Sequence, residues 1–263
     1  MDYSDCQALT VVIQDGIALV TMLFQSDAAD PPGRVQHLEL ANIWRKLDRD
    51  PLVKTVVITG VGDEFYLTGR PAPAPTRTQA DLREWAAYME REVSPFVHEM
   101  IMFGKPVIAA INGNTSGAGL TVAMLADISI MAEEAWLVDP HIMLGLSAGD
   151  GAGAIWPLFT GLAKAKLYLM TSDAIIGREA DRIGLIGRAV PHADVMEIAM
   201  DYARRLVSVP EVALRYTKRG LNQWLRQAEL VVQDHALMLE ALSVLADDRT
   251  NAPYVQWPPR QIP

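Results

Sequence analysis

The chain has 263 residues, 50% of them hydrophobic and 21% charged, with a formal net charge of −9. This excludes a disordered tail or a disulfide scaffold, since Cys6 is the only cysteine and can form neither an internal disulfide nor a thiolate zinc site. A pI near 5.0 argues against a phosphate-neutralising nucleic-acid surface. No apolar run approaches about 18 residues and the first residues lack a basic start and apolar stretch, so a cytoplasmic protein without a membrane span is expected.

Residues 11–13 and 18–22 are β-branched or apolar runs around Asp15-Gly16, a dipeptide suited to a tight hairpin. Residues 35–47 place Leu38, Leu40, Ile43, Trp44 and Leu47 at helical spacing, and residues 53–59 (VKTVVIT) read as a buried strand. The alternation then repeats: helix over 82–102, strand over 106–111, helix over 119–125, strand over 127–131. Such alternation predicts an α/β fold with parallel pairing. Past residue 160 the periodicity predicts helices alone, over 162–170, 178–183, 193–207, 211–226 and 229–246. Pro71, Pro73 and Pro75 mark an extended loop, and four prolines mark the last twelve residues as a surface tail.

The segment KPVIAAINGNTSGAGLT at 105–121 is a buried strand, a turn of small residues and a helix start. Such a turn lets a ligand approach the main chain, and the free N–H groups of a helix N-terminus can hold developing negative charge. It also reads as an ordinary strand-to-helix connection whose small residues serve packing. Further on, DPHIMLGLSAGDGAG carries His141 and Asp150 nine residues apart. An imidazole titrates near neutrality and a carboxylate beside it can orient it or act as base. The structural alternative is a backbone-bonded histidine and an Asp150 that caps the helix starting near Ala152.

Together with TVVITGVGDEFYLTGR and AKAKLYLMTSDAIIGREADRIGLIGRAVP, these segments resemble the crotonase family, the enoyl-CoA hydratase/isomerase superfamily, in register over about residues 10–250. The resemblance implies a spiral of β-β-α units over residues 1–195, and a C-terminal helical oligomerisation region with the Pro-rich tail over 196–263. It further implies a homo-trimer or hexamer acting on an acyl-CoA thioester, with CoA part of the substrate and no separate cofactor. The thioester oxygen would sit between the main-chain N–H groups of Gly69 and Ala118. Hydratases of the family use two glutamates, and their positions are Thr121 and His141 here. A threonine hydroxyl cannot be a general base at neutral pH, so proton transfer falls to His141 and Asp150. Arg70, followed by Pro71, replaces the family acid after the first oxyanion residue.

The same His141 and Asp150 spacing also resembles a CoA-independent branch of the family that cleaves β-diketones at a C–C bond by a retro-Claisen route. That branch has a glutamate near Glu240, which is present, and a second histidine where this chain has Ala118. Helical spacing sets Glu240 apart from the stripe of Leu230, Val231, Met238, Leu242 and Leu245, which points it toward solvent or a subunit boundary. The basic residues Arg204, Arg205, Arg215, Lys218, Arg219 and Arg226 read as a solvated helix face or, in part, as contacts to CoA phosphates. No ligand spacing calls for a metal, and no glycine-rich phosphate loop calls for a nucleotide. A third reading is a catalytically silent oligomer that binds an acyl-CoA.

Overall fold

A computed structural model describes residues 1–23, 34–67, 83 and 87–246. β1 (Leu9–Gln14) and β2 (Ile17–Met22) form the expected antiparallel hairpin, with Asp15 and Gly16 both at positive φ. α1 (Arg34–Arg49) follows and buries Leu40, Ile43, Trp44 and Leu47 of the predicted apolar stripe, while Leu38 at its start is exposed. β3 (Thr55–Gly60), β5 (Val107–Ile111) and β7 (Ile128–Ala132) are the continuous apolar runs. They pair in parallel in a six-stranded sheet of order β1-β2-β3-β5-β7-β10. Every residue of β3 and β5 is buried, as expected for a parallel sheet covered on both faces.

A second, four-stranded sheet was not legible in the sequence. It is built from β4 (Glu64–Tyr66), β6 (Asn114–Ser116), β8 (Trp136–Val138) and β9 (Ile175–Ile176). The chain alternates between the sheets: β3 then β4, β5 then β6, β7 then β8. Each crossing is a tight corner. At Gly113 a Cβ would lie 1.9 Å from the Asp63 carbonyl oxygen, so only glycine lets the backbones approach so closely. Asn112 ties two corners together, accepting from Gly60 N at 3.1 Å and donating to the Gly62 carbonyl at 2.7 Å.

The expectation that strands end near residue 160 is corrected by β9 and by β10 (Arg188–Val190), which pairs in parallel with β7. Two or three residues are too few to display a period. The helices match more closely. A π-helical turn (Met89–Val93) leads into α2 (Ser94–Met102), and α3 (Ala118–Leu125) lies wholly in the core. α4 (Ala152–Thr171) is broken at Gly161, while α5 (Gly177–Arg182) precedes α6 (Val195–Val207), whose Val195, Ala199 and Ala203 join the sheet core. α7 (Glu211–Ala228), a second π-helical turn (Glu229–Gln233) and α8 (Asp234–Ala246) complete the described chain. Arg70 and the prolines at 71, 73, 75 and in the tail lie outside the described residues.

One expectation for this last region is overturned. Lys218 does not belong to a solvated face: it is buried, its Nζ donating to Asp127 Oδ2 and to the Lys105 carbonyl, both at 2.8 Å. Leu237 packs inside the protomer against Met89 and Val93.

Candidate active site

β8 ends at Val138 and the chain runs through Asp139, Pro140 and His141 into a short 3-10 turn (Ile142–Leu144) that closes with Gly145 in the left-handed region. The carboxylate of Asp139 shapes this turn. Its Oδ1 accepts from the His141 backbone N at 3.1 Å and lies 2.8 Å from His141 Nδ1. The loop then crosses to Asp150 and to Gly151, whose φ of +108° starts α4. Gly151 holds the cap position of α4, so the Asp150 carboxylate stands one residue ahead of the cap. It lies 3.6 Å from His141 Nε2.

Glu240 of α8 completes the group, and here the sequence reading was wrong. Glu240 is 2% exposed, with Oε2 3.9 Å from His141 Nε2. The apolar residues Leu230 and Val231 face outward instead, at 80% and 72% exposure. Periodicity sets Glu240 on a different face from these residues but does not tell which face turns inward. The Glu240 carboxyl presses on Gly149, where a Cβ would lie 2.4 Å from Oε2, so glycine at this point lets the acid reach the histidine. Among the described residues Glu240 Oε2 has no hydrogen-bond partner.

Neighbouring contacts hold the loop against both halves of the molecule. Gln233 Nε2 donates to the Gly149 carbonyl at 2.9 Å and Ser243 Oγ accepts from Ser147 N at 3.1 Å. From the other side Thr121 Oγ1 donates to the Asp150 carbonyl at 3.4 Å. Thr121 thus supports the loop's backbone. Three residues earlier on the same helix, Ala118 is the first residue of α3, after Gly117 at φ 59° and ψ −132°. Its N–H has no acceptor within the helix. Gly119 allows Tyr66 to pack against this turn, since a Cβ there would lie 2.4 Å from Tyr66 Cβ. The second expected donor, Gly69, lies outside the described residues.

The electrostatics follow from three carboxyls buried around one imidazole. Burial disfavours the imidazolium, but the charges of Asp139, Asp150 and Glu240 outweigh it and hold the proton affinity of His141 well above the ordinary histidine value. Burial also raises the Asp150 carboxyl, with Asp139 adding and His141 opposing. Glu240 is pushed up to about 8, chiefly by burial and further by Asp150 and Asp139. Such a group holds fewer negative charges than carboxyls, and protons redistribute among its members. The separations of 3.6 and 3.9 Å exceed direct hydrogen bonds and suit a bridging water or substrate atom.

Asp139, His141 and Asp150 also bring one ligand-type atom each within 4.8 Å of one another, a cluster that sequence spacing did not disclose. With Nδ1 engaged by Asp139, a cation would have to use Nε2. Sequence reasoning missed Asp139 altogether; the Asp-Pro-His string reads as a plain turn, and only its adjacency to His141 pointed to a further role. Among the described residues no helix is long and apolar enough to cross a membrane.

The model of the enoyl-CoA hydratase/isomerase family matches residues 34–247. A crotonyl-CoA hydratase from Syntrophomonas wolfei is 32% identical over 205 residues, 78% of this chain and 76% of that protein. A 1,2-epoxyphenylacetyl-CoA isomerase from Escherichia coli is 30% identical over 78% of this chain and 76% of its own length. Among solved structures, an enoyl-CoA hydratase/isomerase from Mycobacterium paratuberculosis superposes with a TM-score of 0.82 at 30% identity, covering 95% of this chain and 98% of that one. A β-diketone hydrolase from the cyanobacterium Anabaena sp., bound to (S)-3-oxocyclohexyl acetic acid, has a TM-score of 0.80 at 24% identity, over 93% and 96% of the two chains; it shows the shared fold. The alternating sheets, the small-residue turn at the start of α3 and these matches agree, and the chain belongs to the enoyl-CoA hydratase/isomerase family.

Proposed function

We propose that the protein transfers a proton at the α-carbon of an acyl-CoA thioester, through an enolate held by main-chain N–H groups of Ala118 and Gly69. The observation that carries this is the buried His141–Asp150–Glu240 group on the loop that Thr121 ties to the first turn of α3. Asp150 takes the α-proton, the electron pair moves to the thioester oxygen, and the N–H of Ala118 stabilises the oxyanion. His141 exchanges the proton with Asp150 and returns it at the carbon the product requires. With Thr121 spent on the loop backbone, isomerisation or another enolate reaction suits the site better than hydration by a glutamate pair. A homo-trimer or hexamer is part of this reading: a second copy would cover the outward apolar residues Leu221, Trp224, Leu230 and Val231.

The burial of Glu240 beside His141 favours a second reading, CoA-independent hydrolysis of a β-diketone. There a water deprotonated by the group adds to one carbonyl, the C–C bond breaks with its electrons passing to the other carbonyl as an enolate, and a carboxyl returns the proton to carbon. Incubation with acyl-CoA esters in deuterium oxide, followed by mass spectrometry, tests the proposal. Solvent deuterium should enter the α-carbon, and Asp150→Asn should slow this about a hundredfold with ligand affinity retained. Cleavage of cyclic or linear β-diketones without CoA would establish the second reading instead. Binding of acyl-CoA without exchange would leave a silent oligomer.

A further inference from the structure

We propose that Asp139 is a positioning residue: it fixes the His141 ring with Nδ1 donating to Asp139 and Nε2 turned toward Asp150 and Glu240. Both ends of Asp139 are anchored. Its backbone follows β8, which is paired with β6 on one side and β9 on the other, and its carbonyl accepts from Ser172 Oγ at 2.7 Å. Its carboxylate is 3% exposed, and a single oxygen, Oδ1, receives both the backbone N–H and the ring Nδ1 of His141. Only Pro140 separates the two residues, and proline's fixed φ leaves the turn little freedom to lose. The residue is therefore clamped at its own backbone N–H and at its near ring nitrogen, Nδ1.

The consequence is a choice of tautomer. A neutral imidazole carries its proton on one nitrogen only, and the hydrogen bond made by one nitrogen decides the state of the other. With Nδ1 committed to Asp139, every proton that moves does so at Nε2, the atom 3.6 Å from Asp150 and 3.9 Å from Glu240. Other groups act on the cluster from surrounding elements: His37 of α1 on Asp150, and Tyr88, ahead of the first π-helical turn, which senses Asp150, Glu92, Tyr66 and Glu240. A purely structural account would confine Asp139 to accepting the His141 backbone N–H, as aspartates do in local turns.

Asp139→Asn separates the two accounts, because an amide oxygen keeps the turn while the charge that holds the ring is lost. The role in turnover rests on the enolate reading; the ring state does not, so it is read without substrate by 15N NMR of the histidine nitrogens. The wild-type protein should show His141 Nδ1 protonated across the accessible pH range, and Asp139→Asn, with the charge gone, should weaken this preference and shift both nitrogen signals. α-Proton exchange should fall a hundredfold or more with acyl-CoA affinity and the melting temperature nearly unchanged, since the comparable Asp→Asn change in serine-protease triads costs about 10⁴ with geometry intact. Asp139→Glu should recover part of the loss. A wild-type spectrum with Nδ1 unprotonated, or an Asp139→Asn variant with unaltered nitrogen shifts, would overturn the assignment. Altered shifts in a protein that exchanges no acyl-CoA proton would support it and instead sink the enolate reading.

Discussion

Strand β5 and helix α7 bury opposite kinds of residue. β5 presents Val107, Ile108, Ala109, Ala110 and Ile111, all buried, whereas α7 exposes Val212, Tyr216, Leu221 and Trp224 and buries Lys218 and Asn222. The following segments repeat the pattern: Leu230, Val231 and Met238 face out while Gln233 and Glu240 are inside. Three of these buried polar groups are spent on main chain. Lys218 reaches the Lys105 carbonyl, Asn222 the Ile101 carbonyl and Gln233 the Gly149 carbonyl. The sheet is thus held by the non-directional burial of apolar surface, and the C-terminal helices dock largely through directional hydrogen bonds, helped by Leu225 and Leu237. Apolar surface left outside in this amount is what a subunit interface uses. The candidate site lies on the seam, taking Ala118 and Asp150 from one region and Glu240 from the other.

One residue type tests the contrast directly. Trp44 is 1% exposed and stacks edge-on against Phe103, while Trp224 is 68% exposed. Trp44→Ala should cost about 4 kcal/mol of stability by leaving a cavity. Trp224→Ala should leave the protomer within about 0.5 kcal/mol and act on assembly instead, moving the light-scattering mass toward the 28.9 kDa protomer. Similar unfolding losses in urea for both variants, with no change in mass, would erase the distinction.

The directional contacts of the helices should be individually costly. Lys218→Ala removes a buried ammonium from Asp127 and from the Lys105 carbonyl, and should destabilise by about 3 kcal/mol because the carbonyl loses this donor and Asp127 its counter-charge. Lys218→Met should recover part of this by restoring the packing of the stem over Phe103, which the ammonium overlies at 5.1 Å. Equal loss in both variants would leave packing no share in the attachment. At the seam, Ala118→Pro should slow turnover about a hundredfold, near 3 kcal/mol in the barrier, because proline has no N–H to offer an oxyanion. Ala118→Gly keeps the N–H and should retain most activity. Matched rates in two folded variants would take Ala118 out of the oxyanion role.

What was legible in the sequence follows the same division. VKTVVIT and PVIAAI could be read as strands because residues buried on both faces leave a continuous apolar run. The second sheet was invisible because its strands are two or three residues long, and Asn114-Thr115-Ser116 has neither apolar character nor a period. His141 and Asp150 were found because imidazole and carboxylate chemistry singles them out on one loop. Glu240 is visible in the sequence but its direction is not, since helical periodicity reports which residues share a face and not which face is turned inward. Asp139 carried no pattern that set it apart from a turn aspartate.

The smallest expected effect concerns the acid that the helical region lends to the site. Glu240 is pushed up to about 8 by burial, with Asp150 and Asp139 adding, against roughly 4.3 for an unperturbed glutamate in the unfolded chain. Below the lower value both states are protonated and pH has no effect through this group. Between the two values the folded state holds a proton that the unfolded state has released, so stability falls as pH rises and levels off beyond about 8. His141 has the same sign above its ordinary value, because its proton affinity is also raised, so part of the slope belongs to it. Glu240→Gln removes only the glutamate's share. Urea unfolding at about pH 5 and about pH 9 should show a smaller loss of stability in the variant than in the parent, by roughly 1 to 2 kcal/mol. An unchanged difference would mean that Glu240 is already ionised beside His141, paired with a permanent imidazolium, and that the proton shared across the seam resides on Asp150 alone.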